Sequence, residues 1–175
     1  MEKFEKLVCF DFDGTLCNTP EAEGGKQIWL EKTGAPWPHR GWWGRKESLD
    51  TEVFDIDVNP KVYEEYLKSV SDDTAYVILA TGRLQALKGE VMNILNSHNL
   101  AFDDVFCNWG TDTFLFKTKL FESLISKLGV TEFTMYDDRE SHLVKFEEWA
   151  KTQSIQITVV DINTMIEKTF NKKNI

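Results

Sequence analysis

Short, continuous apolar runs alternate along the chain with stretches whose apolar residues keep a helical spacing. Residues 7–10 (Leu7-Val8-Cys9-Phe10) are too uninterrupted for a half-exposed strand and read as a buried one, as do 76–80; 133–136 and 155–160 read as further strands, with 104–107 a shorter candidate. Residues 59–67 predict a helix with Asn59 as its cap and Pro60 at its first position. Leu84, Leu87, Val91, Ile94 and Leu95 keep the helical period. Leu120, Leu124, Ile125 and Leu128 mark a further helix that Gly129 stops. Residues 141–150 read as helical, and a short closing helix is expected after the last strand. Strands alternating with helices predict an α/β fold, a mostly parallel sheet covered on both faces. In such sheets ligands bind beyond the carboxyl ends of the strands.

Residues 14–58 break this alternation. Gly24-Gly25, Pro36-Trp37-Pro38 and Gly41-Trp42-Trp43-Gly44 are expected to interrupt regular structure. A connection this long inside a compact domain is usually functional, so it predicts a small lid inserted after the first strand. The 175 residues otherwise predict one domain, 1–175. No apolar run approaches the ~20 residues of a membrane span, and the charged start from Met1 to Lys6 does not read as a signal peptide. Cys9, Cys17 and Cys107 form no Cys-x-x-Cys pair, which argues against a disulfide framework or a zinc cluster and fits small core residues in a reducing, cytoplasmic setting. Lys and Arg total 20 against 29 Asp and Glu, a net charge of −9. That balance disfavours strong non-specific binding to nucleic-acid backbone, leaves room for a local phosphate pocket, and suits a hard cation.

The candidate chemistry sits at the predicted strand tips. Asp11-Phe12-Asp13-Gly14-Thr15-Leu16 follows the first strand, and two carboxylates with exposed carbonyls are what Mg²⁺ takes. An Asx-turn at a strand end is the alternative, which the full hexapeptide outweighs. The second strand leads into Thr81-Gly82-Arg83. Thr81 is either part of an anion site at a helix start or simply that helix's cap. Lys117 is expected near a helix start, where the dipole favours acids, so it is either functional or merely solvated, with Lys119 close by. Asp137 and Asp138 end the fourth strand, where adjacent acids repel unless a cation lies between them or a helix N-terminus takes them.

The order D-x-D-G-T, T-G-R, K, D-D resembles the four motifs of the haloacid dehalogenase (HAD) superfamily of phosphohydrolases. Together with Gly41-Trp42-Trp43 before Ser48-Leu49, Thr113-x-x-Phe116-Lys117 and Tyr136-Asp137-Asp138-Arg139-x-x-His142, the chain looks like the HAD domain of Swiss Army Knife RNA-repair proteins. The resemblance implies a Rossmannoid three-layer sandwich. It also implies an Mg²⁺-dependent phosphatase: Asp11 as nucleophile forming an aspartyl-phosphate, Asp13 as general acid and then base, and Thr81 and Lys117 holding phosphoryl oxygens. Mg²⁺ would lie between Asp11, the Asp13 backbone carbonyl and Asp137, supported by Asp138. The implied substrate is a nucleotide or an RNA or DNA end phosphate. A sugar-phosphate phosphatase and a silent HAD-like binding module are the competing readings.

Around this centre, Gly82, Arg83 and Arg139 flank the expected pocket, and each arginine either contacts a phosphodiester or pairs with an acid. Trp42 and Trp43 either stack on a base or pack the lid, with one in each role expected. Arg45 and Lys46 either meet a second phosphate or face solvent. His142 either orients Asp138 or contacts substrate.

Overall fold

The computed structural model describes residues 3–171. Among these residues six strands form one sheet in the order β3-β2-β1-β4-β5-β6: β1 (Lys6–Phe10), β2 (Ala75–Leu84), β3 (Asp104–Asn108), β4 (Glu132–Asp137), β5 (Gln156–Asp161) and β6 (Ile166–Phe170). The first five are parallel, and β6 returns antiparallel along the β5 edge. Among the described residues there are five α-helices: α1 (Ala22–Thr33), which packs against Trp42, and α2 (Pro60–Val70), α3 (Lys88–Ser97), α4 (Thr113–Leu128) and α5 (Glu140–Ala150), which cover the sheet.

Period-two alternation divides the core into two layers. Val8 and Phe10 point to the face covered by Val62 and Tyr66 of α2, by Val91, Ile94 and Leu95 of α3, and by Trp42, Leu49 and Phe54 of the 14–58 segment. Leu7 and Cys9 point to the other face, covered by Phe116, Leu120, Phe121 and Leu124 of α4 and by Leu143 and Phe146 of α5. This is the expected three-layer α/β sandwich. Asn59 accepts a hydrogen bond from the Lys61 amide and caps α2, with Pro60 leading it. Gly129 closes α4 in the left-handed conformation at φ 65°.

Three expectations fail here. Gly24 and Gly25 do not interrupt structure but lie in the first turns of α1. A Cβ on Gly25 would collide with the Trp42 ring, so this glycine lets the indole lie against the helix. Glycine costs about 1 kcal/mol in a helix, less than burial of a large aromatic returns. No closing helix follows β5 among the described residues; the chain turns through Met165 at φ 56° into β6. Finally, β2 does not stop at residue 80. It continues through Thr81-Gly82-Arg83 to Leu84 across an irregularity in its pairing with β3, and α3 starts only at Lys88. Thr81 is therefore not at a helix start. Among the described residues no helix is long and apolar enough to cross a membrane. Met1 and Glu2 of the charged start lie outside the described residues.

Candidate active site

The register of the central strands assembles the site. Phe10 pairs with Tyr136, so Asp11 and Asp137, one residue further on, emerge side by side at the tips of β1 and β4. Asp11 continues the Leu7-Cys9 face and so points toward α4, which delivers Lys117. The Lys117 side chain is buried, with only its tip reaching the cleft. Its Nζ donates to Asp11 Oδ1 at 2.8 Å and to Asp137 Oδ2 at 3.0 Å. Lys119 is exposed on the same helix. Burial alone would lower the Lys117 pKa, but Asp11 and Asp137 outweigh it and drive the pKa up, so the ammonium stays charged.

The three acids Asp11, Asp137 and Asp138 each place an oxygen within 4.8 Å of the others. Burial raises the Asp11 carboxyl to about 7 against the pull of Lys117, with Asp137 adding repulsion. Asp138 is raised by burial and then by Asp137. Asp137 is pushed up by burial too, yet Lys117 and the Arg139 amide hold it below its ordinary value. The Thr15 hydroxyl lies 3.2 Å from Asp11 Oδ2 and 3.1 Å from Asp138 Oδ1. It carries one proton and can satisfy only one carboxylate at a time. Gly14 makes this approach possible: its φ is 68°, and a Cβ there would come within 2.5 Å of Asp138 Oδ2.

This donor set fits a hard divalent ion. Three carboxylates converge and repel, and among the described residues the Asp13 backbone carbonyl accepts no hydrogen bond. The Asp13 side chain turns elsewhere. It accepts from Thr19 Oγ1 at 2.8 Å and from Arg83 Nε and Nη2 at 2.8–3.1 Å.

Asp11, Asp13, Trp43, Gly82, Arg83, Lys117, Asp137, Arg139 and His142 line a cleft of about 180 Å³ together with Thr113. That is smaller than the ~300–1,000 Å³ of a site for a whole drug-sized ligand, so the bulk of any such ligand lies outside it. A Cβ on Gly82 would come within 2.8 Å of Thr113 Oγ1, so glycine is what fits there. Thr81 is fully buried behind this wall, where its Oγ1 accepts the Arg83 amide. His142 is half-buried, and burial followed by Arg139 lowers its pKa, which leaves a neutral imidazole at pH 7.

Two of the expected substrate contacts are corrected. Trp42 is 4% exposed, and its Nε1 donates to the Pro20 carbonyl. It packs on Trp37 and Phe54 as a core residue away from the cleft, because the chain at 42 faces α1. Trp43 is 36% exposed and lines the cleft, with Arg83 Cζ 4.9 Å from its ring centroid. Arg83 is only 2% exposed and ion-paired with Asp13, so its guanidinium is spent on protein groups rather than free for a phosphodiester. Arg139 is exposed at the cleft and has no carboxylate partner among the described residues. Arg45 and Lys46 are exposed and do not line it. Sequence reasoning gave no role to Thr15, Thr19 and Ser48. Thr15 was visible as part of D-x-D-G-T and Ser48 as part of the Gly41-Trp42-Trp43 to Ser48-Leu49 pattern, but nothing local marked Thr19.

A family model described as the HAD domain family 1 in Swiss Army Knife RNA repair proteins matches residues 35–173. This stretch includes Thr81, Lys117, Asp137 and Asp138, while Asp11 and Asp13 precede it. No curated protein matches the chain. Among solved structures, a chain of a Pnkp1/Rnl/Hen1 complex superposes with a TM-score of 0.59 at 18% identity, covering 90% of this chain and 46% of that one. The protein thus spans less than half of that neighbour. A predicted phosphoglycolate phosphatase from Haemophilus somnus 129pt gives a TM-score of 0.56 at 15% identity, covering 92% and 86% of the two chains. A HAD-superfamily hydrolase of subfamily IA from Geobacter sulfurreducens PCA gives 0.54 at 15%, covering 89% and 86%. These likenesses establish the shared fold, and with the family match they place the chain in the HAD superfamily, within the HAD domain family of the Swiss Army Knife RNA-repair proteins.

Proposed function

We propose that this chain is a phosphomonoesterase that acts through an aspartyl-phosphate on Asp11 and takes a nucleotide or a nucleic-acid end phosphate. The observation that carries this reading is the cleft floor, where Lys117 Nζ holds Asp11 Oδ1 at 2.8 Å beside a second, separately oriented carboxylate, Asp13. Asp11 attacks phosphorus as the bond to the leaving oxygen breaks, and Asp13 gives that oxygen its proton. Water then attacks the phosphorus, Asp13 takes the water's proton, and the Asp11 carboxylate is released with inorganic phosphate. Lys117 keeps Asp11 in place beneath the phosphoryl group, and the buried Thr81 hydroxyl holds the Arg83 amide behind the cleft wall.

Asp11, Asp137, Asp138 and the Asp13 carbonyl would hold Mg²⁺. When bound, the ion supplies positive charge that lets an anionic nucleophile meet an anionic ester. Trp43 at the cleft mouth supports a base or sugar as the leaving group, and Arg139 beside it supports a neighbouring phosphodiester.

The test is hydrolysis of p-nitrophenyl phosphate with Mg²⁺ and with chelator. A panel of mononucleotides, 3′- and 5′-phosphorylated oligonucleotides and sugar phosphates follows. No turnover with Mg²⁺ sinks the phosphatase reading, and preference for sugar phosphates sinks the nucleic-acid reading.

A further inference from the structure

Arg83 connects the insertion to Asp13. Its Nε is shared between Asp13 Oδ1 and Oδ2 at 3.1 and 3.0 Å, and Nη2 meets Oδ1 at 2.8 Å. On the other side, Nη1 donates to the Trp43 carbonyl at 2.7 Å and to Ser48 Oγ at 2.6 Å. Ser48 is fully buried, and its hydroxyl proton goes to the Arg45 carbonyl at 2.6 Å. With that proton spent, Ser48 can only accept from Arg83. Removing the hydroxyl would leave a buried guanidinium N–H without its acceptor. Ser48 lies in a single 3₁₀ turn, Lys46–Leu49. Leu49, Trp42 and Phe54 root this part of the insertion in the core, so its acceptors are fixed in place.

We infer that Ser48 is a positioning residue for Asp13. Acting through Arg83, the 42–49 segment of the insertion sets the direction of the carboxylate that passes the proton to the leaving oxygen. This rests on the phosphatase reading above. As the phosphorus–oxygen bond breaks, its electron pair stays on the leaving oxygen, which takes the Asp13 proton. An alkyl leaving group needs that proton because its bare alkoxide is a strong base. An aryl oxide departs as a stable anion and needs it far less. A misdirected Asp13 therefore impairs alkyl esters selectively.

The experiment compares the wild type with Ser48→Ala and Ser48→Cys on p-nitrophenyl phosphate and on a nucleoside 3′-monophosphate. Cysteine keeps the volume but offers a weak acceptor, so it decides the matter if the alanine variant fails to fold. Turnover of the alkyl ester is expected to fall about tenfold or more, and that of the aryl ester less than about threefold, within the about 10²–10⁴-fold worth of general acid catalysis. KM should hold for both. In an Asp13→Asn background the Ser48 change should add no further loss. Independently of turnover, the Arg83 Nε–H resonance should shift in the Ser48 variants.

Equal losses on both esters, additive losses beside Asp13→Asn, or an unmoved Arg83 resonance overturn the role of Ser48 and leave the phosphatase reading standing. A wild-type chain that hydrolyses neither ester removes both.

Discussion

Asp11→Asn should stabilise the metal-free chain while destroying turnover. In the unfolded chain Asp11 ionises near the ordinary carboxylate value of 3.8, and in the folded chain near 7, chiefly from burial and only partly relieved by Lys117. The raised folded pKa means that the native state binds more protons between those values, so stability falls as pH rises through that window. The shift is about 3 units, which at 1.36 kcal/mol each gives about 4 kcal/mol lost by pH 7.5. Asparagine carries no charge to bury and escapes this loss. Asp137 is shifted down and acts below pH 3.8, and Lys117 is shifted up and acts above pH 10.5, so neither sets the slope between. Asp138, also raised, adds to it, and His142, lowered, opposes it below pH 6.5. Comparing variant with wild type in chelator by urea unfolding at pH 4, 5.5 and 7.5 isolates the Asp11 share. The variant should match the wild type at pH 4 and exceed it progressively, by up to about 4 kcal/mol, or roughly 8–16 °C in Tm. A pH-independent difference, or an asparagine variant that is the weaker protein at pH 7.5, refutes the electrostatic reasoning. Mg²⁺ should then restore the wild type more than the variant.

Lys117→Met should destabilise the chain at pH 7.5 by about 3–5 kcal/mol, because it leaves Asp11 and Asp137 buried without their counter-charge, and denaturation at pH 5 should show a smaller loss. Trp42→Ala should cost about 3–5 kcal/mol in unfolding free energy and reduce hydrolysis of every substrate alike. Trp43→Ala should spare the melting temperature and raise KM for a nucleotide or oligonucleotide by about one to two orders of magnitude, with little change for p-nitrophenyl phosphate. Arg139→Ala should raise KM for an end-phosphorylated oligonucleotide more than for a mononucleotide, measured side by side at low salt.

What could be read from the sequence follows a physical division. Strand β1 and the start of β2 were legible because buried runs have one pattern, and the tips of β1 and β4 were legible because their acids recur in the order D-x-D-G-T and D-D after strand-like runs. Helix α4 announced its end through Gly129 and its period through Leu120, Leu124 and Leu128. The failures are all nonlocal. Gly25 looks like a breaker until Trp42 arrives 17 residues later to fill the space it leaves. Ile166–Phe170 has mostly exposed positions and no apolar period, so only pairing with β5 makes it a strand. Trp42 and Trp43 are neighbours of identical type, and which one is buried depends on the side that faces α1. The Arg83 partner, Asp13, lies 70 positions away.

The charge arrangement of the cleft draws these observations together. A chain with nine surplus negative charges lines this cleft with three acids and three cations beside a neutral histidine. Lys117 is bound between Asp11 and Asp137, and Arg83 is bound to Asp13, so both balance protein carboxylates. Neither can neutralise a phosphate dianion without loosening an acid that the chemistry needs. On the proposed phosphatase reading, an incoming phosphate would therefore require further positive charge at the floor, where Asp138 adds a fourth carboxylate. On that reading, a divalent ion held by Asp11, Asp137 and Asp138 would supply it. Arg139, with no carboxylate to serve, remains for whatever negative charge the leaving group carries. On the proposed reading, recognition of the phosphoryl group and of the leaving group would thus fall to different cations, and changes at the rim should alter substrate choice without touching the floor.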